Sequence, residues 1–371
     1  MTADRFPRRW AAGLALASCA GLILLASALG VRAGTADEAA PPYPPSPVIA
    51  DVQWDFASWI RLAPGSDNWP ITWADDDNQY TAWGDGGGFG GTNEDGRVSL
   101  GVARIEGPAD GYAGHNVWGG KDAEHAAQFE GKSYGIICIG GVLYMWVTPG
   151  SGAEGYNEAR LALSTDYGAM WTGAAWAFTK AEKVVKCAFC QFGRDYAGAR
   201  DNYVYSYAVR LQDDSSLKVQ RPGQIDLMRV PKDRIMERSA YEFFAGLDAA
   251  GQPMWTSDLA ARRPVFEDAN GVGWAVSVSY NAGLRRYLLC TEHNESCQGN
   301  LGIFDAPEPW GPWTTVGYYH NWGNLGSTFF WNFANKWLSP DGRRFVLVFT
   351  GTDENDAWNT VRGRFIARQK P

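Results

Sequence analysis

The sequence predicts an all-β protein folded as a five-bladed β-propeller. The main observation is a repeat in which a polar turn precedes an aromatic residue that opens a short apolar strand. The aromatic residues of the five copies are Tyr80, Tyr144, Tyr203, Tyr287 and Phe345. Successive copies are 58 to 84 residues apart, which is enough chain for each copy to form a small antiparallel sheet, as a propeller blade does.

A second observation is a turn that is typical of propellers. Residues 164–171 read Ser-Thr-Asp-Tyr-Gly-Ala-Met-Trp and match the Ser-x-Asp-x-Gly-x-x-Trp pattern called an Asp-box. Because this turn stabilises a hairpin on the outside of a blade, we expect Asp166 and Trp171 to be structural. A two-sheet sandwich is the alternative fold, but its strands should recur more densely than these do.

Composition and motifs exclude several classes of function. The net charge of −8 argues against a nucleic-acid partner, since binding phosphates requires a cationic surface. The four histidines are scattered, and the chain contains no His-Glu-x-x-His motif. The glycine-rich stretch from 86 to 91 lacks the Lys-Ser/Thr ending of a phosphate-binding loop. We therefore predict no cofactor and no metal.

The beginning of the chain resembles an export signal. Three arginines among residues 1–9 precede an apolar run, and small residues around position 33 offer a cleavage site. We expect residues 1–33 to be a cleaved signal peptide and the protein to be secreted or periplasmic, although the run is long enough to remain as an uncleaved anchor. Residues 34–50 are predicted to be a Pro/Ala-rich linker and residues 51–371 the propeller domain.

The cysteines suggest an oxidising compartment. Cys290 and Cys297 bracket a short polar loop, and we predict a disulfide between them. Cys187 and Cys190 form a Cys-x-x-Cys pair, but a second pair at zinc spacing is missing. Whether Cys187 and Cys190 are bonded to each other stays open.

Two aspartates are expected at the same end of the first repeat. Asp67 precedes the first strand of this repeat, and Asp85 directly follows its second strand. In an antiparallel hairpin, the start of the first strand and the end of the second lie together. This places Asp67 and Asp85 on one rim of the propeller, whereas the acidic turn at residues 75–77 lies at the opposite end.

A carboxylate pair on one rim is what cleavage of a glycosidic bond requires. One carboxyl group protonates the leaving oxygen, and the other activates water or attacks the anomeric carbon. The glycines at 86–88, 90 and 91 would let a loop pass close to a sugar. The alternative is that each aspartate is a strand-end cap that bonds nearby backbone.

The first repeat resembles a known family. Ser66-Asp67-Asn68-Trp69, Tyr80 and Trp83-Gly84-Asp85 are similar to the start of a bacterial five-bladed propeller family, formerly a domain of unknown function, that includes endo-D-arabinanases. The resemblance implies that Asp67 and Asp85 are catalytic and that the substrate is an arabinan. Gly86 stands where the family commonly has Thr, so the resemblance alone does not assign the sugar.

Further residues are candidates for binding a polysaccharide substrate. Some lie at predicted strand ends on the same rim, and others offer a flat ring that could stack on a sugar. The candidates are Trp69, Lys132, Tyr280, His293, Trp118 and Trp322.

Three functions follow from these observations. The first is an exported glycoside hydrolase that cleaves a polysaccharide such as arabinan, with Asp67 and Asp85 as acid and base (or nucleophile) in unassigned order. The second is a glycan-binding propeller that has lost its chemistry. The third is a sialidase-like hydrolase, which rests on the Asp-box alone and would need a rim cluster of arginines that the sequence does not reveal.

Overall fold

A computed structural model describes residues 40–149, 156–212, 218–351 and 356–368. The predicted signal peptide at 1–33 and residues 34–39 of the predicted linker lie outside these ranges. Across the described ranges, helices occur as three-residue 3-10 turns, and none is long and apolar enough to cross a membrane. These turns are Lys180–Glu182, Arg194–Tyr196, Arg238–Ala240, Leu259–Ala261, Trp322–Asn324 and Asn335–Trp337.

The all-β prediction is confirmed, and the first two groups of strands are four-stranded antiparallel sheets. The strands of each group pair in the order in which they follow one another along the chain. The first group contains β2 (Ile71–Trp73), β3 (Gln79–Gly84), β4 (Leu100–Glu106) and β5 (Ala113–Trp118). The second group contains β6 (Gly131–Ile139), β7 (Val142–Pro149), β8 (Glu158–Ser164) and β9 (Thr172–Thr179).

The third and fourth groups share one ten-stranded sheet. They are joined where β10 and β16 run parallel, with Cys190 beside Val278 and Gln191 beside Ser279. The third group contains β10 (Cys187–Gln191), β11 (Tyr203–Val209), β12 (Gly223–Pro231), β13 (Glu242–Leu247), β14 (Pro253–Thr256) and β15 (Pro264–Asp268). The fourth group contains β16 (Ser277–Asn281), β17 (Arg286–Glu292), β18 (Leu301–Ala306) and β19 (Thr314–Tyr318).

The fifth group joins the two ends of the described chain. It contains β20 (Thr328–Phe333), β21 (Arg344–Gly351) and β22 (Trp358–Ala367), and its fourth strand is β1 (Ile49–Leu62). The pairing of β1 with β22 is antiparallel and extends from Ile49 beside Ala367 to Leu62 beside Trp358. The fifth sheet is therefore complete only when β1 pairs with β22.

The repeated aromatic residues lie at equivalent places. Each of the five falls near the beginning of the second strand of its group, namely β3, β7, β11, β17 and β21. The first strands of the five groups also share one narrow cavity, which is lined by Ile71, Tyr134, Ala188, Val278 and Asn332 among others. The groups are thus arranged around a common centre, while their number as propeller blades stays a prediction.

The Asp-box forms the hairpin turn between β8 and β9. Ser164 Oγ lies 2.7 Å from Asp166 Oδ1, and Asp166 Oδ1 accepts the backbone N–H of Met170 at 3.0 Å. The indole of Trp171 donates to the carbonyl of Gly168 at 3.0 Å. Asp166 and Trp171 therefore stabilise the turn to which they belong.

The predicted linker boundary needs correction. Pro45 already pairs with Thr315, and the backbone N–H of Ser46 donates to Thr315 at 2.8 Å. Strand β1 then begins at Ile49. Proline and alanine content suggested a loose connection, but the segment from 45 onward is fixed against the edge of β19.

Candidate active site

The structure brings Asp67 and Asp85 to the same end of the first hairpin. Asp67 and Gly84 exchange two backbone hydrogen bonds of 2.8 and 2.7 Å, which extend the pairing of β2 and β3 by one step. Asp85 is the next residue after that pair. The hairpin turn between β2 and β3 lies at the other end, so both carboxyl groups stand where the paired strands open.

The backbone turns sharply after β3, and this turn sets the position of the Asp85 side chain. Asp85 has φ 54° and Gly86 has φ 62°, a left-handed conformation that Asp tolerates better than most residues and glycine adopts freely. A Cβ atom on Gly86 would lie 2.3 Å from the carbonyl oxygen of Gly65. This contact leaves no room for a side chain at position 86 unless the backbone shifts.

Two cations hold the Asp85 carboxylate. Lys132 Nζ lies 2.5 Å from Asp85 Oδ1 and also donates to the backbone carbonyl of Ser99 at 2.9 Å. Arg97 Nη2 lies 3.1 Å from the same Oδ1. The Lys132 side chain is only 4% exposed, so its ion pair is little screened by solvent. Both contacts stabilise the negative charge of Asp85.

Asp67 has the opposite electrostatic environment. Burial raises the pKa of Asp67 to about 8, against the lowering effect of Lys132, and the negative charges of Asp356 and Asp85 raise it further. The side-chain amide of Asn68 donates to Asp67 Oδ1 at 2.8 Å. Asp67 is therefore protonated at neutral pH.

A third carboxyl group, Asp356, arrives from the far end of the chain. Its backbone carbonyl accepts the N–H of Gly65 at 2.6 Å, and the neighbouring Ala357 carbonyl accepts the indole of Trp69 at 3.0 Å. Burial, followed by the charge of Asp85, raises the pKa of Asp356 to about 6. Asp356 Oδ1 is buried and has no hydrogen-bond partner among the described residues.

A layer of aromatic residues surrounds a buried lysine beside the carboxylates. Lys186 Nζ lies 5.8, 5.5 and 5.3 Å from the ring centroids of Tyr134, Tyr156 and Trp274. Asp67 and Asp85 act electrostatically on both tyrosines, so the layer adjoins the carboxyl pair. Burial lowers the pKa of Lys186 well below its usual value. Within the described ranges, Lys186 Nζ and Trp274 Nε1 are buried without hydrogen-bond partners.

Comparison with known families identifies the chain. A family model described as a domain of unknown function, DUF4185, matches residues 133–322, just over half of the sequence. The protein belongs to the DUF4185 family. No curated protein matches the chain. The matched range includes Tyr134, Lys186 and Trp274 but begins after Asp67 and Asp85.

Solved structures resemble this DUF4185 chain at the level of the fold. A candidate hydrolase from Bacteroides ovatus has a TM-score of 0.53 and 11% sequence identity, with 82% of this chain and 87% of that chain covered. A GH43_1 enzyme from Xanthomonas citri has a TM-score of 0.48 and 14% identity, over 83% and 88% of the two chains. A family 117 glycoside hydrolase from Zobellia galactanivorans has a TM-score of 0.45 and 10% identity, over 85% and 90%.

Three tryptophans predicted to bind substrate belong to the core of the DUF4185 chain. Trp69 and Trp118 are fully buried, and Trp322 is 1% exposed. Trp69 stacks on Trp83, Trp118 packs on Phe129, and Trp322 packs among the aromatic residues beneath β1. The prediction that these rings stack on sugars is wrong, because a ring enclosed on both faces has none left for a ligand.

Two other predicted binding residues are also structural, which leaves Lys132 at the carboxyl pair. His293 is fully buried, stacks on Tyr318 with 3.6 Å between ring centroids, and has its pKa lowered to about 3 by burial. Tyr280 lies towards the opposite end of β16 and packs on Phe192 and Tyr287. Both rings are therefore used in packing within the protein.

The disulfide between Cys290 and Cys297 is not formed. Cys290 is a buried thiol on β17, packed in the core opposite Ser277 and Ile303. The backbone N–H of Cys297 is instead bound by the carboxylate of Glu292. Spacing along the chain suggested a clip, but Cys290 lies within β17 and is only 1% exposed in the core. Cys187 and Cys190 are separate buried thiols.

The glycine loop is packed against the protein rather than open to a sugar. A Cβ atom on Gly87 would lie 2.0 Å from the Asp95 carbonyl oxygen, and one on Gly88 would lie 2.4 Å from Asn116 Oδ1. Asn116 binds this loop through the carbonyls of Gly87 and Phe89. Gly87 and Gly88 are therefore needed because other parts of the protein approach their backbone closely.

One cluster in the described part of the chain has ligand atoms at metal-binding distance. Asp75, Cys138 and Asp195 place these atoms within 4.8 Å of one another, at the end of the first hairpin away from Asp67. A metal would need the Cys138 thiolate, yet burial raises the pKa of Cys138 above its usual value. Cys138 Sγ lies 3.4 Å from Asp195 Oδ1, which is a hydrogen-bonded arrangement.

The sequence analysis overlooked Arg97, Asp356 and the aromatic layer. The strand-end argument that selected Lys132 applies equally to Lys186, directly before β10, and to Trp274, three residues before β16. Asp356 directly precedes the pair Ala357-Trp358 at the start of β22 and could have been found in the same way. Arg97 sits in a loop with no sequence signal.

Proposed function

We propose that this DUF4185 protein is an exported glycoside hydrolase built as a five-bladed propeller, with Asp67 as the general acid and Asp85 as the base or nucleophile. The observation that supports it is the contrast between neighbouring carboxyl groups. Asp67 is kept protonated by burial, while Asp85 is paired with Lys132 and Arg97. Glycosidases divide catalysis between a carboxylic acid and a carboxylate.

The proposed reaction divides the chemistry between the two groups. Asp67 donates its proton to the glycosidic oxygen as the bond to the anomeric carbon breaks. Asp85 either removes a proton from an attacking water or attacks the anomeric carbon itself. In the second case, the ionised Asp67 then takes a proton from the water that releases the sugar.

The aromatic layer supports a sugar as the ligand. Lys186 Nζ and Trp274 Nε1 are buried without partners in the described residues, and buried polar groups normally have hydrogen bonds. The hydroxyl groups of a sugar that entered this layer would supply these hydrogen bonds. D-arabinan is the proposed polysaccharide, on the resemblance of residues 66–69 and 83–85. The B. ovatus protein of similar fold is itself a candidate hydrolase.

The proposed location is outside the cytoplasm. Residues 1–33 have the composition of a cleaved export signal, and a large polysaccharide is met in the periplasm or beyond. Fractionation of cells that produce the full chain tests this: protein kept in the cytoplasm at full length would contradict it.

The decisive experiment measures release of oligosaccharides from D-arabinan, L-arabinan and sialylated glycans. Asp67→Asn and Asp85→Asn should each reduce release at least about 1,000-fold, in line with loss of a catalytic group. Asp233→Asn, which removes an exposed carboxylate away from the site, is the matched control. If either site variant retains full turnover while folded, the assignment is wrong. Release from sialylated glycans alone would favour the sialidase-like reading.

A second candidate is a glycan-binding propeller without catalysis. Its support is that Lys132 and Arg97 both engage the same oxygen of Asp85, which reduces the ability of that oxygen to attack or accept a proton. In the same experiment, this protein would retain arabinan on an affinity gel without shortening it. Retention that survives Asp85→Asn, with no release by the unaltered protein, would establish binding alone.

A further inference from the structure

A wide groove lies far from the carboxyl pair. It has a volume of about 1100 Å³ and runs between the fifth group of strands and the loop after β4. Its walls include Arg344 at the start of β21 and Arg364 near the end of β22. Asp356 precedes β22 at its other end, and eight residues of extended strand span about 26 Å. The groove is therefore on the opposite end of the molecule from Asp67 and Asp85.

Three arginines occupy one face of the sheet inside this groove. Arg344 lies directly opposite Arg364 across the two strands, and Arg362 is two residues before Arg364 on the same face. All three are exposed. Side chains directly opposite in an antiparallel pair are about 5 Å apart at Cβ, where like charges are destabilising.

These charges have only weak compensation from the protein in the described ranges: the charge of Arg344 lowers the pKa of Asp341, and Arg362 Nη2 donates to the carbonyl of Ala109 at 3.5 Å. None of the ion pairs among the described residues involves Arg344, Arg362 or Arg364, and Asp55 lies opposite Arg362 on β1 without pairing with it. A like-charged cross-strand pair that faces a groove lowers the free energy of unfolding unless a ligand supplies the counter-charge.

The groove as a whole indicates the class of ligand. Four cationic side chains and two carboxylates line it, so the excess charge is only two. The protein carries −8 overall, which disfavours a densely charged nucleic acid. A polymer with single, spaced negative charges fits better, and guanidinium groups bind carboxylates in a bidentate manner. Trp337, 8% exposed, forms part of the apolar lining.

We infer that this groove is an accessory binding site for a carboxylated polysaccharide, with Arg344, Arg362 and Arg364 as its anion-binding residues. The site holds the polymer without acting on it. Binding in this groove raises the local concentration of the polysaccharide around the protein. The inference does not depend on hydrolysis at the opposite end.

The test is binding of polygalacturonate, with neutral dextran of similar length as the comparison ligand, measured by calorimetry at two salt concentrations. The protein should bind polygalacturonate and not dextran, more weakly at higher salt. Replacing both opposed arginines, Arg344→Ser with Arg364→Ser, should raise Kd about tenfold, as two charge-assisted contacts are lost. Arg285→Ser with Arg343→Ser removes the same charge from exposed positions outside the groove and should leave Kd unchanged.

Stability separates a binding role from a structural one. Because the opposed pair is repulsive, the melting temperature of the Arg344→Ser, Arg364→Ser protein should be equal to or above that of the unaltered protein. No binding of polygalacturonate by the unaltered protein would overturn the inference. Equal loss of binding in the Arg285, Arg343 control, or an undiminished affinity in the groove variant, would do so as well.

Discussion

At the scale of single residues, the site depends on how Asp67 is kept uncharged. Its carboxyl group is flanked by Asp356 and Asp85, which raise its pKa, and by Lys132, which lowers it. The strand-end argument placed Asp67 beside Asp85 from the sequence because hairpin geometry is local. It could not show that Asp356, which lies 289 positions later in the sequence, meets Asp67, because that contact depends on the closure of the whole fold.

Asp356→Asn should shift the pH dependence of hydrolysis. Activity requires protonated Asp67, so it should fall as the pH rises through about 8, the pKa of Asp67. Removing the negative charge of Asp356 removes one cause of that raised pKa, and the basic limb of the profile should move to lower pH. The measurement is kcat/KM against pH for both proteins. An unmoved basic limb with reduced activity would mean that Asp356 contacts substrate rather than tuning Asp67.

Asp67→Asn should also change how stability depends on pH. The folded pKa of about 8 exceeds the ordinary value of 3.8, so the folded state holds the proton more tightly than the unfolded state. This contribution is full below about pH 4 and is lost as the pH rises towards 8. The asparagine variant lacks that loss and should gain stability relative to the unaltered protein over this window. Urea unfolding at pH 4.5 and pH 8 measures the free energy of unfolding of both proteins. An equal difference between the two proteins at both pH values would refute the prediction.

At the scale of elements, the loop after β3 shows what glycine patterns do and do not reveal. The run of glycines indicated close approach of a backbone, which is correct, but the approaching partner is the protein's own chain. A Cβ atom on Gly86 would collide with the backbone carbonyl of Gly65, and one on Gly87 would collide with that of Asp95. The sequence indicates where a side chain must be absent, but it does not identify the residue that approaches the glycine.

Gly86→Ala and Gly90→Ala form a matched pair for this loop. Both glycines have left-handed φ values, 62° and 80°. A Cβ atom on Gly90 meets nothing within 4 Å, so its substitution should cost about 1 kcal/mol of unfolding free energy. The Cβ on Gly86 would collide with Gly65, and its substitution should cost about 3 kcal/mol and displace Asp85. Equal costs in denaturant unfolding would show that the loop relaxes freely.

At the scale of the whole molecule, periodicity predicted the repeat but missed its ends. The five aromatic residues fall in equivalent second strands because each group repeats the same local pattern. The sequence of residues 45–50 indicates a linker, because β1 pairs with β22 and therefore has no partner strand nearby in the sequence. The buried tryptophans were misassigned for a similar reason, since composition does not tell which ring is enclosed.

Closure by β1 should be essential for stability. A protein that begins at residue 40 keeps β1 and its pairing with β22, and should unfold in one cooperative transition. A protein that begins at residue 63 lacks the strand and leaves β22 as an unpaired edge over the aromatic core. We expect the shorter protein to have no cooperative thermal transition by circular dichroism. A transition at the same temperature in both would show that the other groups fold independently of closure.

The meeting of β1 and β22 also sets an order of events during synthesis. Strand β1 leaves the ribosome about 300 residues before its partner at Trp358–Ala367. While those residues are made, the long β1 strand, with Trp59 and Ile60 at its surface, has no partner. Unpaired strands of this kind associate with other chains. Newly made molecules are therefore open to association until β22 emerges, and termination near residue 357 should yield aggregates rather than a smaller folded protein.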